Sequence, residues 1–247
     1  MIKILILSSC SKKKLINLNG QPNCNDLNSK NKREYWKQLL KEHSKSAEEM
    51  YLGSQANSIK KAVSILRENY EVHYYIISAG FGLIKSDTLI PPYDCSFAKK
   101  KFANIRESAK DLEIEEELGK VLENTYELIF LALGKSYLIT VGNFNKFTKS
   151  ANLIVHFSKE IKGSSDNYFY CDDSKIRKIG KEINRTFKKP IGATVAAKGD
   201  IFLNYALDIT KQQVNIENYS FKEWWEEQID RIDKLKKEES NIINVLP

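Results

Sequence analysis

The chain has 247 residues, 42% hydrophobic, 11% aromatic and 29% charged, enough apolar material for a sizeable core, so disorder is excluded as its main state. Lys+Arg 39 against Asp+Glu 32 leaves a net charge of +7, the balance of a chain that meets a polyanion. No apolar run approaches the roughly 18 residues of a membrane span, and the start MIKILILSS lacks a basic n-region and cleavage site, so a cytoplasmic protein with no membrane partner is expected.

Ile2 to Ser8 is a continuous apolar run, the pattern of a strand buried on both faces of a parallel sheet. The polar, Asn-rich stretch from Leu15 to Lys32 predicts a long loop. Helical spacing predicts helices over Arg33 to His43, Ser46 to Tyr51 and Ser54 to Asn69. Val72 to Ser78 predicts a second buried strand, closed by Ala79-Gly80-Phe81-Gly82, and one helix is expected from Lys99 to Asn124. Leu128 to Leu133 and Asn152 to Phe157 predict the third and fourth strands.

Asp172 to Lys189 predicts a basic amphipathic helix, with Ile176, Ile179, Ile183 and Phe187 on one face and Pro190 as its stop. Phe221 to Glu239 predicts another, carrying Trp224, Trp225 and Ile229. Strands alternating with helices give an α/β class: a three-layer, mostly parallel central sheet flanked by helices. One domain is expected over 1–247, with the sheet core and a strand-end site in 1–160. Residues 172–247 carry the basic helical segment and the C-terminal amphipathic helix.

Cys10, Cys24, Cys95 and Cys171 form no C-x-x-C pair, and His43, His73 and His156 are equally dispersed. Reduced thiols are expected, with no metal site and no cofactor.

Ligands of an open parallel sheet bind beyond the carboxyl ends of its strands. Three turns therefore come first: Ser9-Cys10-Ser11-Lys12-Lys13, Ser78-Ala79-Gly80-Phe81-Gly82 and Gly134-Lys135-Ser136. They offer hydroxyls, ammonium groups and lightly covered backbone N–H groups, a chemistry suited to a phosphate or a sugar. Ile129 stands where a P-loop would need its first glycine, so the Gly-Lys-Ser is not a nucleotide fingerprint. In Pro91-Pro92-Tyr93-Asp94 two prolines stiffen the chain ahead of an aromatic ring and a carboxylate. A base or sugar site uses such a pair, the ring stacking and the carboxylate polarising water; a core tyrosine followed by a helix-capping aspartate is the plainer alternative.

The blocks Ser9-Cys10-Ser11-Lys12-Lys13-Lys14, Met50-Tyr51-Leu52-Gly53-Ser54, Ile77-Ser78-Ala79-Gly80-Phe81-Gly82-Leu83 and Pro92-Tyr93-Asp94 resemble an uncharacterised bacterial family. The later blocks are also similar to the YaaA family of peroxide-stress proteins, over roughly residues 1–140. That resemblance implies nucleic acid: DNA binding and protection, and an α/β fold of the uracil-DNA-glycosylase type used for base removal. Where YaaA-like chains carry an arginine after the proline-tyrosine, this chain has Asp94.

The resulting expectation is a DNA glycosylase excising a modified base, such as glucosylated hydroxymethylcytosine, from phage DNA in antiviral defence. Asp94 is the candidate catalytic group. Ser9, Cys10, Ser11, Lys13, Tyr51, Ser78, Gly80, Phe81, Gly82, Tyr93 and Lys135 are candidates for binding the substrate, Tyr93 and Phe81 by stacking and Gly80 and Gly82 through N–H groups. Lys12, Lys14, Lys178, Lys181 and Arg185 are candidates for DNA phosphates. The alternatives are a non-catalytic, YaaA-like DNA-binding protein and a nucleoside or nucleotide N-glycosidase.

Overall fold

The structure is a computed structural model that describes residues 1–98, 100–159, 161, 165–187 and 194–243. Its first strand, β1 (Lys3–Ser9), keeps Ile4, Leu5, Ile6 and Leu7 wholly out of water and pairs in parallel on both sides. A strand flanked on both edges and covered on both faces has no polar side to show, which is why its sequence does not alternate.

Beyond it come α1 (Lys30–Leu39), β2 (Lys45–Ser46), the one-turn α2 (Ala47–Met50) and α3 (Ser54–Leu66). They are followed by β3 (Glu71–Ser78), β4 (Gly82–Lys85) and β5 (Leu89–Ile90). The middle of the chain forms α4 (Phe102–Asp111), α5 (Ile114–Val121), β6 (Tyr126–Ala132) and the short α6 (Lys135–Leu138). The remainder is β7 (Ala151–His156), β8 (Tyr168–Tyr170), α7 (Asp173–Phe187), α8 (Thr194–Gln212) and α9 (Phe221–Ile243).

The main sheet runs β4-β3-β1-β6-β7-β8, with β4 antiparallel to β3 and all other pairs parallel. The chain steps from β1 to β3 in one direction and from β3 to β6 in the other, so right-handed crossovers place their helices on opposite faces. On one face α3 packs on α8, and Phe202 of α8 stacks on Phe130 of β6, their centroids 4.2 Å apart. α4 and α5 pack together in the layer that connects β3 to β6. The expected three-layer α/β sheet is therefore present, and the direction of winding reverses between β1 and β6.

Several boundaries differ from the sequence expectation. The helix expected from Lys99 to Asn124 is two helices, α4 and α5, because Glu113 turns left-handed at φ 52° between them; Lys99 lies outside the described residues. The helix expected over Ser46 to Tyr51 shrinks to one turn after the β2–β5 ribbon, and Tyr51 bridges instead to Lys14. The strands β4 and β8 and the helix α8 are unforeseen. Pro190, the expected helix stop, lies outside the described residues.

The thiol expectation is also corrected. Cys24 and Cys95, 71 residues apart, form a disulfide, while Cys10 and Cys171 are free and buried. The bond ties the long loop after β1 to the segment following Asp94. Backbone contacts run alongside, with Asp94 N–H donating to Pro22 O at 2.8 Å and a bridge between Asn23 and Asp94. No described helix is long and apolar enough to cross a membrane.

Candidate functional site

In a doubly wound sheet the crevice opens where the winding reverses, here beyond the ends of β1 and β6. Cys10 follows β1; its N–H donates to Ile77 O at 3.0 Å, and its sulfur lies 3.1 Å from the Tyr137 hydroxyl of α6. The two strand ends are thus joined by a buried thiol–phenol contact. Ser11 donates its hydroxyl to Lys13 O at 2.6 Å, which turns the chain back.

The next residues lie along the Tyr51 segment, with Leu15 N–H on Met50 O at 2.8 Å and Leu52 N–H on Lys13 O at 3.1 Å. This pairing sends Lys14 inward. Its ammonium sits 4.1 Å from the centre of the Tyr93 ring and 3.5 Å from Ser11 O, and the residue is 3% exposed. Burial lowers its pKa from the ordinary lysine range, opposed by Cys10 and Asp94. The reading of Lys14 as a DNA-phosphate ligand is corrected: a side chain under an aromatic ring cannot reach a duplex backbone.

Behind Lys14 runs a hydroxyl chain, Tyr51 to Tyr93 at 2.7 Å and Tyr93 to Ser78 at 2.8 Å. Ser78 Oγ also accepts the N–H of Phe81 at 3.0 Å and of Gly80 at 3.3 Å. Burial raises the phenols of Tyr51 and Tyr93 well above their ordinary pKa, so both stay protonated and can donate.

The N–H of Gly80 is thereby engaged within the protein and does not face a ligand. Glycine is needed at 80 for a close approach, since a Cβ there would come 2.8 Å from Leu27 Cδ1 and 2.9 Å from Tyr93 Cε2. Gly82 has a different requirement, a φ of +77° with Leu112 O 2.7 Å from any Cβ. Tyr93 is fully buried, its ring met by Lys14, Phe81 and Tyr51, which leaves the partly exposed Phe81 as the ring able to stack on a ligand.

Asp94 stands one residue beyond, exposed, on a backbone fixed by Pro22 and the neighbouring disulfide. Pro91 and Pro92 are buried, so the carboxylate is carried on a packed, rigid segment. Ser9 and Ser11 are half-buried at the mouth, and Lys12 and Lys13 are exposed beside them. Lys135 is exposed with its ammonium 5.3 Å from the Phe102 ring centre.

The basic helix is placed differently from expectation. On α7, Ile176 and Ile179 are core residues, as the periodicity predicts, but Lys178 forms an ion pair with Asp233 of α9. The side chains of Lys181, Arg185, Ile183 and Phe187 and the residues Lys188 and Lys189 lie outside the described residues.

Two buried polar residues at the end of β6 escape sequence reasoning. Gln55, at the start of α3, donates its amide to Ala132 O at 2.8 Å, and Lys198 of α8 donates to Leu133 O at 2.7 Å. Burial pulls the Lys198 ammonium from 10.5 to about 8, opposed by Asp173 and Cys171. The only local signal is the small-residue setting Ala197-Lys198-Gly199. No group of three or more potential metal-ligating side chains occurs among the described residues.

Residues 35–155 match a family of unknown function (DUF6884). The matched stretch contains Tyr51, Gln55, Ser78, Tyr93, Asp94 and Tyr137, whereas Ser9 to Lys14 and Lys198 lie outside it. No curated protein matches the chain.

Proposed function

We propose that the chain hydrolyses an N-glycosidic bond in DNA, releasing a modified base and leaving an abasic site. The observation that carries this reading is the exposed Asp94 carboxylate, held on a buried diproline segment beside the crevice where the winding reverses. In the reaction the C1′–N bond breaks with its electron pair leaving on the base, and the negative charge of Asp94 stabilises the sugar cation that forms. Water then adds to C1′ and gives a proton to the Asp94 carboxylate, which passes it to the departing base anion, so the free base and the abasic sugar are released and the carboxylate is regenerated. Phe81 stacks on the flipped base, and Lys12 and Lys13 meet the phosphates at the mouth. A phage genome with modified cytosine is the substrate that the family resemblance suggests.

The test is release of base from duplexes of differing cytosine modification, read by alkali cleavage and mass spectrometry. Asp94→Asn keeps the volume and loses the charge, so turnover is expected to fall by about 10²-fold or more while DNA affinity stays within a few fold. Unchanged turnover removes Asp94 from the mechanism, and no release from any duplex overturns the reading.

A second reading is favoured by two of the candidate cations: Lys14 is buried and Lys178 is paired with Asp233. The same crevice then serves a nucleoside or nucleotide N-glycosidase. That enzyme would release bases from free nucleotides with little dependence on salt, whereas the DNA enzyme loses affinity steeply as salt rises.

A further inference from the structure

Both ends of the disulfide meet at Asp94. Cys95 follows that residue directly, and Cys24 follows Asn23, which bridges to it. Beside the covalent bond, the backbone tie between Asp94 and the loop after β1 is the Asp94 N–H on Pro22 O at 2.8 Å. The same loop reaches the Gly80 turn, where a Cβ would meet Leu27 Cδ1 at 2.8 Å. It then leads into α1, whose described residues are all at least partly exposed, so little apolar burial holds that helix down.

The two sulfurs are unequally shielded. Cys24 is half-buried, whereas Cys95 is only 3% exposed, so a thiol from solvent meets Cys24 first. A pocket of about 40 Å³ is lined by both cysteines together with Arg33, Lys100 and Asp111. Two cations against one carboxylate favour both an incoming thiolate and the thiolate that leaves. The reduced state is provided for as well: Cys95 Sγ lies 3.3 Å from Ala79 O, the acceptor that a buried thiol needs.

From this arrangement we propose that the Cys24–Cys95 pair is a redox switch that sets the placement of Asp94, opened by a dithiol reductant. A thiolate of the dithiol attacks Cys24 Sγ, the S–S bond breaks with its electron pair on Cys95, and Cys95 takes up a proton. The second sulfur of the reductant, as a thiolate, then attacks the reductant's own sulfur in the mixed disulfide. Cys24 leaves and is protonated. The dithiol has become a disulfide, and its two hydrogens are balanced by those now on Cys24 and Cys95. Without the cross-link, the contact of Asp94 with Pro22 competes against the recovered freedom of the loop, and the carboxylate loses its fixed place. This change in the backbone stands apart from the chemistry of the crevice, whereas control of base release rests on the glycosylase reading.

The experiment is hydrogen exchange of the full chain before and after dithiothreitol, well below the thermal midpoint of the reduced form. Thiol alkylation read by mass spectrometry counts the cysteines opened. Cys24 and Cys95 are expected to be reduced while the sheet stays folded. The Asp94 amide should then exchange about tenfold or more faster, with the amides of β1 and β6 unchanged, and should slow again on reoxidation. A chain carrying Cys24→Ser and Cys95→Ser should exchange at the fast rate with or without reductant.

A bond that opens only when the amides of β1 also exchange overturns the proposal, as does an Asp94 amide with equal exchange in both states. Base release that stops on reduction and returns on reoxidation supports the switch and the glycosylase reading together. Faster Asp94 exchange with no base release in either state supports the switch and overturns that reading instead. Base release indifferent to reduction, despite the faster exchange, overturns control of the site and leaves the reading standing.

Discussion

His156 closes β7 at 2% exposure, with Nδ1 lacking a partner and the ring packed near Tyr168 and Tyr170. Burial holds its pKa down at about 4 from the ordinary 6.5. A histidine in the unfolded chain takes up its proton near pH 6.5, while the folded chain resists until about 4. Between those values the unfolded state binds more protons, so stability falls as pH falls, by up to ~1.4 kcal/mol per pH unit from this group. Urea denaturation midpoints measured from pH 7 to 4.5 should show that slope in the native chain. His156→Phe removes the titrating ring and should flatten it; an undiminished slope would assign the acid sensitivity to other groups.

At the scale of elements, the Cys24–Cys95 disulfide and the Asn23–Asp94 bridge make one unit of the loop after β1 and the segment bearing Asp94. Chain entropy for a loop of 71 residues sets the stabilisation at about 4 kcal/mol. Cys95→Ser is therefore expected to lower the thermal midpoint by about 10 °C, and reductant should shift the native chain by a similar amount. A midpoint indifferent to both would leave the bond without structural weight. This link was not legible in the sequence, since no local pattern connects cysteines so far apart. The central strands were legible because burial on both faces writes itself as an unbroken apolar run in Ile4 to Leu7. The break at Glu113 was not, because Asp111 to Gly119 contains no proline and its only glycine lies beyond the turn. Helix α8 carries a readable apolar spacing at Ala197, Ile201, Tyr205 and Ile209, but Gly199 within it has the look of a turn residue. Its glycine serves contact with α3, a tertiary reason that sequence periodicity does not contain. For the site, the turn after β1 and the Tyr93-Asp94 segment could be read from residue type. Gln55 and Lys198 could not, since their roles come from two helix starts meeting at one strand end.

Across the whole molecule, a net charge of +7 says little until it is placed. On α7 the ion pair of Lys178 with Asp233 holds one cation to α9, while Lys175 and Arg177 are exposed. Lys14 is folded inward, so the exposed cations nearest the crevice mouth on the β1 loop are Lys12 and Lys13. If DNA is the substrate, these two must neutralise phosphates as the base enters, and each phosphate contact releases about one counterion. Replacing both by alanine should lower the slope of log affinity against log salt by about 1 to 2 for duplex DNA, with similar loss on all sequences. Lys178→Ala is the contrasting variant. Its ammonium already faces a carboxylate, and a half-exposed pair of this kind contributes about 0 to 1 kcal/mol, so the variant should leave the salt slope unchanged. Fluorescence anisotropy over a range of salt concentrations measures both. A slope insensitive to Lys12 and Lys13 would return them to the solvated surface and shift the assignment toward free nucleotides. A slope that drops with Lys178 instead would move the DNA path from the strand ends to the face formed by α7 and α9.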